Sequence, residues 1–194
     1  VGTLAHRTSP TNMGLALLAN LSAYDFGYIL AGKLIERTRS SLDTMKVLER
    51  YQGHFFNWYD TQSLKPLPPN YISTVDSGNL AGHLLTLSNA CRQVIDQPLP
   101  VGAALAGIRD ALALAREAAG AIGDDRRSET LTRRELDEAL HLPAAASTAV
   151  PSTPAAWAAL LGELGAHART LSDVAAALTA ERGDGAESEL VTWA

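Results

Sequence analysis

Apolar residues recur every three or four positions along most of the chain, the spacing of one helix face. Ser9 before Pro10 reads as a helix start, a hydroxyl cap followed by proline at the first helical position. That helix is expected to run to about Ala23 and to break near Asp25-Phe26-Gly27. Leu30, Leu34, Thr38, Leu42, Met45 and Leu48 set a second amphipathic helix over about 29–50, which Gly53 ends. The period is lost over 54–75, where Pro66, Pro68 and Pro69 forbid a helix. Phe55–Thr61 and Tyr71–Val75 are aromatic and β-branched, which predicts one short hairpin across the proline loop. A third helix follows from about Ser77 to Ile95, with Leu80, Leu84, Leu87, Cys91 and Val94 on one face.

Beyond Pro100 two seams alternate four and three residues apart. One is Val101, Leu105, Ile108, Leu112, Ala115, Ala119 and Ile122; the other is Trp157, Leu161, Leu164, Ala168, Leu171, Ala175 and Leu178. Two matching seams joined by a connector predict an antiparallel helical pair. Thr132 with Glu135 forms a capping box for a short helix between them, and 143–154 reads as a loop. The expectation is an all-α fold with one short β-hairpin. Residues 1–97 form a first region and 98–186 an alanine-rich one, with helices near 99–122, 133–142 and 154–181. Residues 187–194 look like a further helix just starting, and with Val1 in first place they suggest a piece of a longer protein.

Composition separates the same two regions. Residues 1–100 hold nine of the eleven aromatic residues, whereas 26 of the 94 residues from 101 onward are alanine. Aromatic and polar groups build pockets and alanine builds close helix packing, so chemistry is expected in the first half. The net charge of −5 argues against a polyanion surface, and no nucleic-acid partner is expected. One cysteine, Cys91, excludes an internal disulfide framework. The longest apolar runs are too short to span a bilayer, so no direct membrane contact is expected.

Common catalytic signatures are missing. There is no glycine-rich phosphate loop and no histidine pair at ligand spacing, so neither a metal nor a cofactor is expected. Ser77 in VDSGN lacks the preceding glycine of a nucleophile elbow. What stands out is a set of polar and aromatic residues at helix ends. His54, Asn57, Trp58, Tyr59 and Asp60 precede the proline loop, Asp76 and Asn79 follow it, and Arg7 and Asn12 flank the first helix start. Such a set suits a sugar, since rings pack on pyranose C–H faces and carboxylates and amides bond hydroxyls. Each has a plainer reading as well. Asp76 can cap the third helix, Arg7 can pair with Asp60 or Asp76, and His83 can be a packed helix residue. Trp58 and Tyr59 are neighbours, so on a strand one faces the core and the other outward.

The strings HRTSPTNMGLALLANLSAYDFGY and LERYQGHFFNWYDTQSLKPLPPNYISTVDSGNLAGHL resemble the middle region of cyclic β-1,2-glucan synthases. The resemblance spans about Ala5–Arg92; from Gln93 it rests on position alone. It implies the first helices of an incomplete α/α-barrel, with the helical pair as an insertion. It implies a parent enzyme at the bacterial inner membrane that elongates glucan from UDP-glucose and closes it into a ring by transglycosylation. The cyclising carboxylates are implied to lie downstream, leaving this stretch a soluble, inactive part on the cytoplasmic side. Its implied partners are linear β-1,2-glucan and the other domains of the parent. Arg7, Asn12, His54, Asn57, Trp58, Tyr59, Asp60, Asp76 and Asn79 are then candidate glucan contacts. Two rivals stand beside this: a stand-alone glucan hydrolase using Asp60 and Asp76 as its carboxyl pair, and a non-enzymatic helical interaction module.

Overall fold

The computed structural model describes residues 5–98, 100–121, 133–148, 150–182 and 190–191. The chain divides into two compact units, Val1–Pro100 and Val101–Ala194. The fold is all-α, with two small antiparallel strand pairs added.

The first unit is built on α1 (Pro10–Asp25), α2 (Ala31–Val47) and α3 (Thr74–Asp96). Ser9 caps α1, its Oγ accepting from the Asn12 N–H at 3.3 Å, and Pro10 fills the first helical position. At the other end Gly27 adopts a left-handed φ of 79°, which lets the chain turn back and offer N–H groups to the last α1 carbonyls. Helix α1 packs against both α2 and α3. Gly14 is what permits the close approach to α3: a Cβ there would stand 2.9 Å from Cβ and Cγ of His83. The core gathers Leu17, Met45, Leu48, Phe55, Tyr59, Leu80 and Leu87.

The strands differ from the single hairpin expected. Strand β1 (Arg7–Thr8) pairs with β4 (Tyr59–Asp60), and β2 (Arg50–Tyr51) with β3 (His54–Phe55). The β2–β3 turn is Gln52-Gly53, both left-handed, the geometry that matches strand twist in a two-residue loop. Tyr71–Val75 is no strand: α3 begins at Thr74, earlier than expected, because Ser73 rather than a later residue caps it. Residues 59–60 find their ladder partner fifty residues away in β1, a pairing that local pattern does not encode.

The second unit holds α4 (Val101–Ala121), α5 (Arg133–Ala146) and α6 (Pro154–Arg182). Instead of a simple pair, α5 packs against both α4 and α6. Leu112, Ala115 and Ala119 of α4 share a core with Leu136 and Leu140 of α5 and Leu171, Ala175 and Leu178 of α6. Leu105 meets Leu160 and Leu164. The α6 seam thus uses Leu160 where Leu161 was expected; Leu161 is 57% exposed, and Ala168 is exposed too. Helix α5 also continues through Pro143 to Ala146, into the expected loop. An interior proline costs about 3 kcal/mol, but here Ala144 and Ala146 pack against the two cores and Ser147 ties its N–H to the Pro143 carbonyl. Arg109 and Arg116 of α4 reach the Ser147 and Leu140 carbonyls near that end. Leu190 is helical and fully buried in this core, while Ile122, Thr132 and Trp193 lie outside the described residues. Among the described residues no single helix is long and apolar enough to cross a membrane.

Candidate functional site

The segment 57–61 is braced on two sides. Its backbone meets His6–Thr8 on one flank, with Thr61 N–H donating to the His6 carbonyl at 3.1 Å. On the other flank Leu67 N–H donates to the Trp58 carbonyl and Asn57 N–H to the Tyr71 carbonyl, each at 2.9 Å. Fixed this way, the segment alternates its side chains. Phe55, Asn57 and Tyr59 are buried, and Phe56, Trp58 and Asp60 are half-buried toward the surface.

Tyr59 is therefore the inward member of the aromatic pair, fully buried. Its hydroxyl donates to the Glu49 carbonyl at 2.7 Å and accepts from the Phe56 N–H at 2.8 Å. Burial pushes its pKa up, and the Phe56 bond only partly offsets this. Tyr59 is a core residue and offers no surface to a ligand. Trp58 is the outward one. Arg7 lies over its ring, the guanidinium carbon 4.8 Å from the centroid. The ladder places Arg7 opposite Asp60, so Arg7, Trp58 and Asp60 share the outer face of this ribbon.

Asp60 organises its own loop. Oδ1 accepts from the Gln62 and Ser63 N–H groups at 3.0 and 2.7 Å and from the Ser63 hydroxyl at 2.9 Å. These bonds, those from Ser63 foremost, hold its carboxyl below the ordinary range. Leu64 can then take a left-handed φ of 60° and close the turn onto the Asp60 carbonyl.

Asp76 stands where α1 and α3 begin. Its N–H donates to the cap Ser73 at 3.1 Å, so Asp76 sits in the first turn of α3 without being the cap. Oδ1 accepts a long 3.4 Å bond from the Thr11 N–H in the first turn of α1. Burial raises its pKa, but bonds from Thr11, Ser73 and Ser9 together outweigh that and bring it below the ordinary value. Asn79 joins the same corner, donating to the Thr11 hydroxyl at 3.1 Å.

Asn57, 5% exposed, links the two parts. With its amide oriented by its neighbours, Nδ2 donates to Asp76 Oδ2 at 3.0 Å. Oδ1 accepts from the Tyr71 hydroxyl and the Trp58 indole N–H, each at 2.6 Å. The structure thus brings Arg7, Asn57, Trp58, Asp76 and Asn79 into one cluster. Four candidates lie off it: Tyr59 is in the core and Asp60 holds its own turn. His54 is exposed on β3, paired with Tyr51, and Asn12 lines a groove of about 300 Å³ with Thr8, Ser41 and Asp60. Tyr71, Thr11 and Ser9 belong to the cluster although only the helix-start pattern around Ser9 pointed toward it. Among the described residues no three His, Cys, Asp or Glu side chains gather as metal ligands. His83 is packed against Gly14, its Nδ1 buried without a partner.

The class defined so far is an all-α protein whose aromatic loop is braced across two helix starts. No family model matches the sequence. The chain is similar to Cyclic beta-(1,2)-glucan synthase NdvB of Rhizobium meliloti (strain 1021), at 44% identity over 136 residues. That is 70% of this chain but 5% of that protein, so the chain corresponds to a small part of a much longer relative. The match is longer than the 5–92 stretch that carries the resemblance, so the likeness to this synthase reaches beyond it.

Proposed function

We propose that this chain is part of a cyclic β-1,2-glucan synthase and supplies glucan-binding surface and framework to its ring-closing, transglycosylating region. The observation that carries the reading is the 44% identity to a named synthase of that glucan. The cluster around Trp58 supports it chemically. A half-buried indole beside a guanidinium and a carboxylate matches a pyranose, with its apolar ring face and its rim of hydroxyls. Helices α1–α3 serve as the opening elements of an α/α-barrel completed by other parts of the parent, and α4–α6 as an insertion. The parent sits at the bacterial inner membrane with this region on the cytoplasmic side. Its carboxylate chemistry lies outside this chain, because Asp60 and Asp76 are each tied into local backbone structure.

The test is a binding titration of the chain with linear β-1,2-glucan, repeated on Trp58→Ala. Truncating the platform is expected to weaken binding by about 1–3 kcal/mol, the order of a lost aromatic contact. Unchanged affinity in a folded Trp58→Ala protein places the sugar elsewhere.

A further inference from the structure

Asn57 is one of few buried polar side chains among the described residues, and both ends of its amide are used. It sits between the indole of Trp58 and the carboxylate of Asp76. A carboxamide carries a donor and an acceptor in one plane, which this position demands. An aliphatic residue of similar size would leave the indole N–H, the Tyr71 hydroxyl and one Asp76 oxygen without this partner. An aspartate would set a second negative charge against Asp76. We infer that Asn57 is the positioning residue of the cluster: it does not touch the ligand, but locks the Trp58 ring and orients Asp76. The indole is then held at its N–H edge by Asn57 and covered on one face by Arg7, so a pyranose would stack on the face that Arg7 does not cover. This rests on the reading of Trp58 as the sugar platform.

The experiment uses the full chain with Trp157→Phe and Trp193→Phe, so that Trp58 is its sole tryptophan. Asn57→Ala and Asn57→Asp are made in that background. Trp58 emission, its quenching by acrylamide and the Kd for linear β-1,2-glucan are measured from pH 5 to 8, with a thermal melt of each variant. Asn57→Ala should shift the emission, raise quenching and weaken binding about tenfold, the scale of one charge-assisted hydrogen bond. Asn57→Asp at pH 8 keeps an acceptor for the indole N–H but loses the donor to Asp76 and adds a like charge. It should therefore weaken binding as Asn57→Ala does while disturbing the Trp58 emission less. Toward pH 5 a proton shared with Asp76 makes the new carboxyl a donor again, so emission and affinity should recover while the unmodified Asn57 background stays flat. A purely structural role predicts that affinity recovers only in step with the melting temperature, whereas positioning predicts weakened affinity at pH 8 even where the variant is fully folded. Should Asn57→Ala not fold, the pH response of Asn57→Asp decides alone. Unchanged emission and affinity in folded variants overturn the inference. If Trp58→Ala leaves glucan affinity intact, the platform reading fails instead, and the Trp58 emission still reports whether Asn57 holds the ring.

Discussion

Asp76 holds a negative charge where two helices begin, and both helix dipoles favour it there. Its folded-state pKa lies below the unfolded value, so its contribution is present above the unfolded pKa and fades as pH falls through the folded one. Asp76→Asn should therefore lower stability at pH 7 by about 1 kcal/mol, a modest figure because solvent screens a partly exposed carboxylate. The gap to the unmodified protein should begin to narrow as pH falls through 3.8 and close only below the lowered folded-state pKa; chemical denaturation over a pH series descending from 7 measures it. Tyr59→Phe tests a different residue. Removing a hydroxyl bonded to Glu49 and Phe56 leaves two part-buried backbone groups without this partner, and should cost about 1 kcal/mol without changing affinity for glucan. The adjacent pair Trp58-Tyr59 was legible in the sequence as one inward and one outward ring. Which was which was not, because that depends on Tyr59 lying opposite Thr8 in a ladder with distant β1.

Helix existence was the part the chain wrote locally. Ser9-Pro10, the leucine period of α2 and the Leu80–Leu87 face each depend on neighbours within a turn or two, and each became a helix, α3 with an earlier start than expected. Choices that depend on packing were less visible. Leu160 and Leu161 are chemically equal, and only the direction of the surface built by Leu105 of α4 and Ala146 of α5 decides that Leu160 goes in. Pro143 looked like a stop, yet the alanines beyond it gain enough contact to carry the helix on. These choices can be checked by charge insertion. Leu112→Asp and Leu164→Asp, each replacing a buried leucine, should cost about 3–5 kcal/mol. Leu161→Asp should stay within about 0.5 kcal/mol of the parent, as exposed positions do. Equal melting of Leu161→Asp and Leu164→Asp would reject the α6 register. In the first unit, Gly14→Ala sets helix propensity, a gain of about 1 kcal/mol, against overpacking of about 1–3 kcal/mol on His83. Neither Cβ nor Cγ of His83 is a flexible tip that can swing away, so the melting temperature should fall.

Each unit has its own core, and the candidate cluster draws all of its residues from the first. The second contributes alanine-rich helices with no comparable aromatic and amide corner among the described residues. On the proposed reading, glucan binding belongs to residues 1–100 alone, which separate expression of the two units tests. Expressed separately, 1–100 should bind linear β-1,2-glucan with the affinity of the full chain, and 101–194 should not bind it. Neither piece nor the full chain should turn glucan over. A glycosidase or transglycosidase needs two carboxyl groups poised across one bond, whereas Asp60 is spent on the Gln62-Ser63 turn and Asp76 on the two helix starts. Incubation of the full chain with linear glucan, followed by separation of cyclic and shortened products, is the deciding assay. Product that disappears in Asp60→Asn would make the chain an enzyme in its own right and favour the hydrolase reading over that of a binding segment within a synthase.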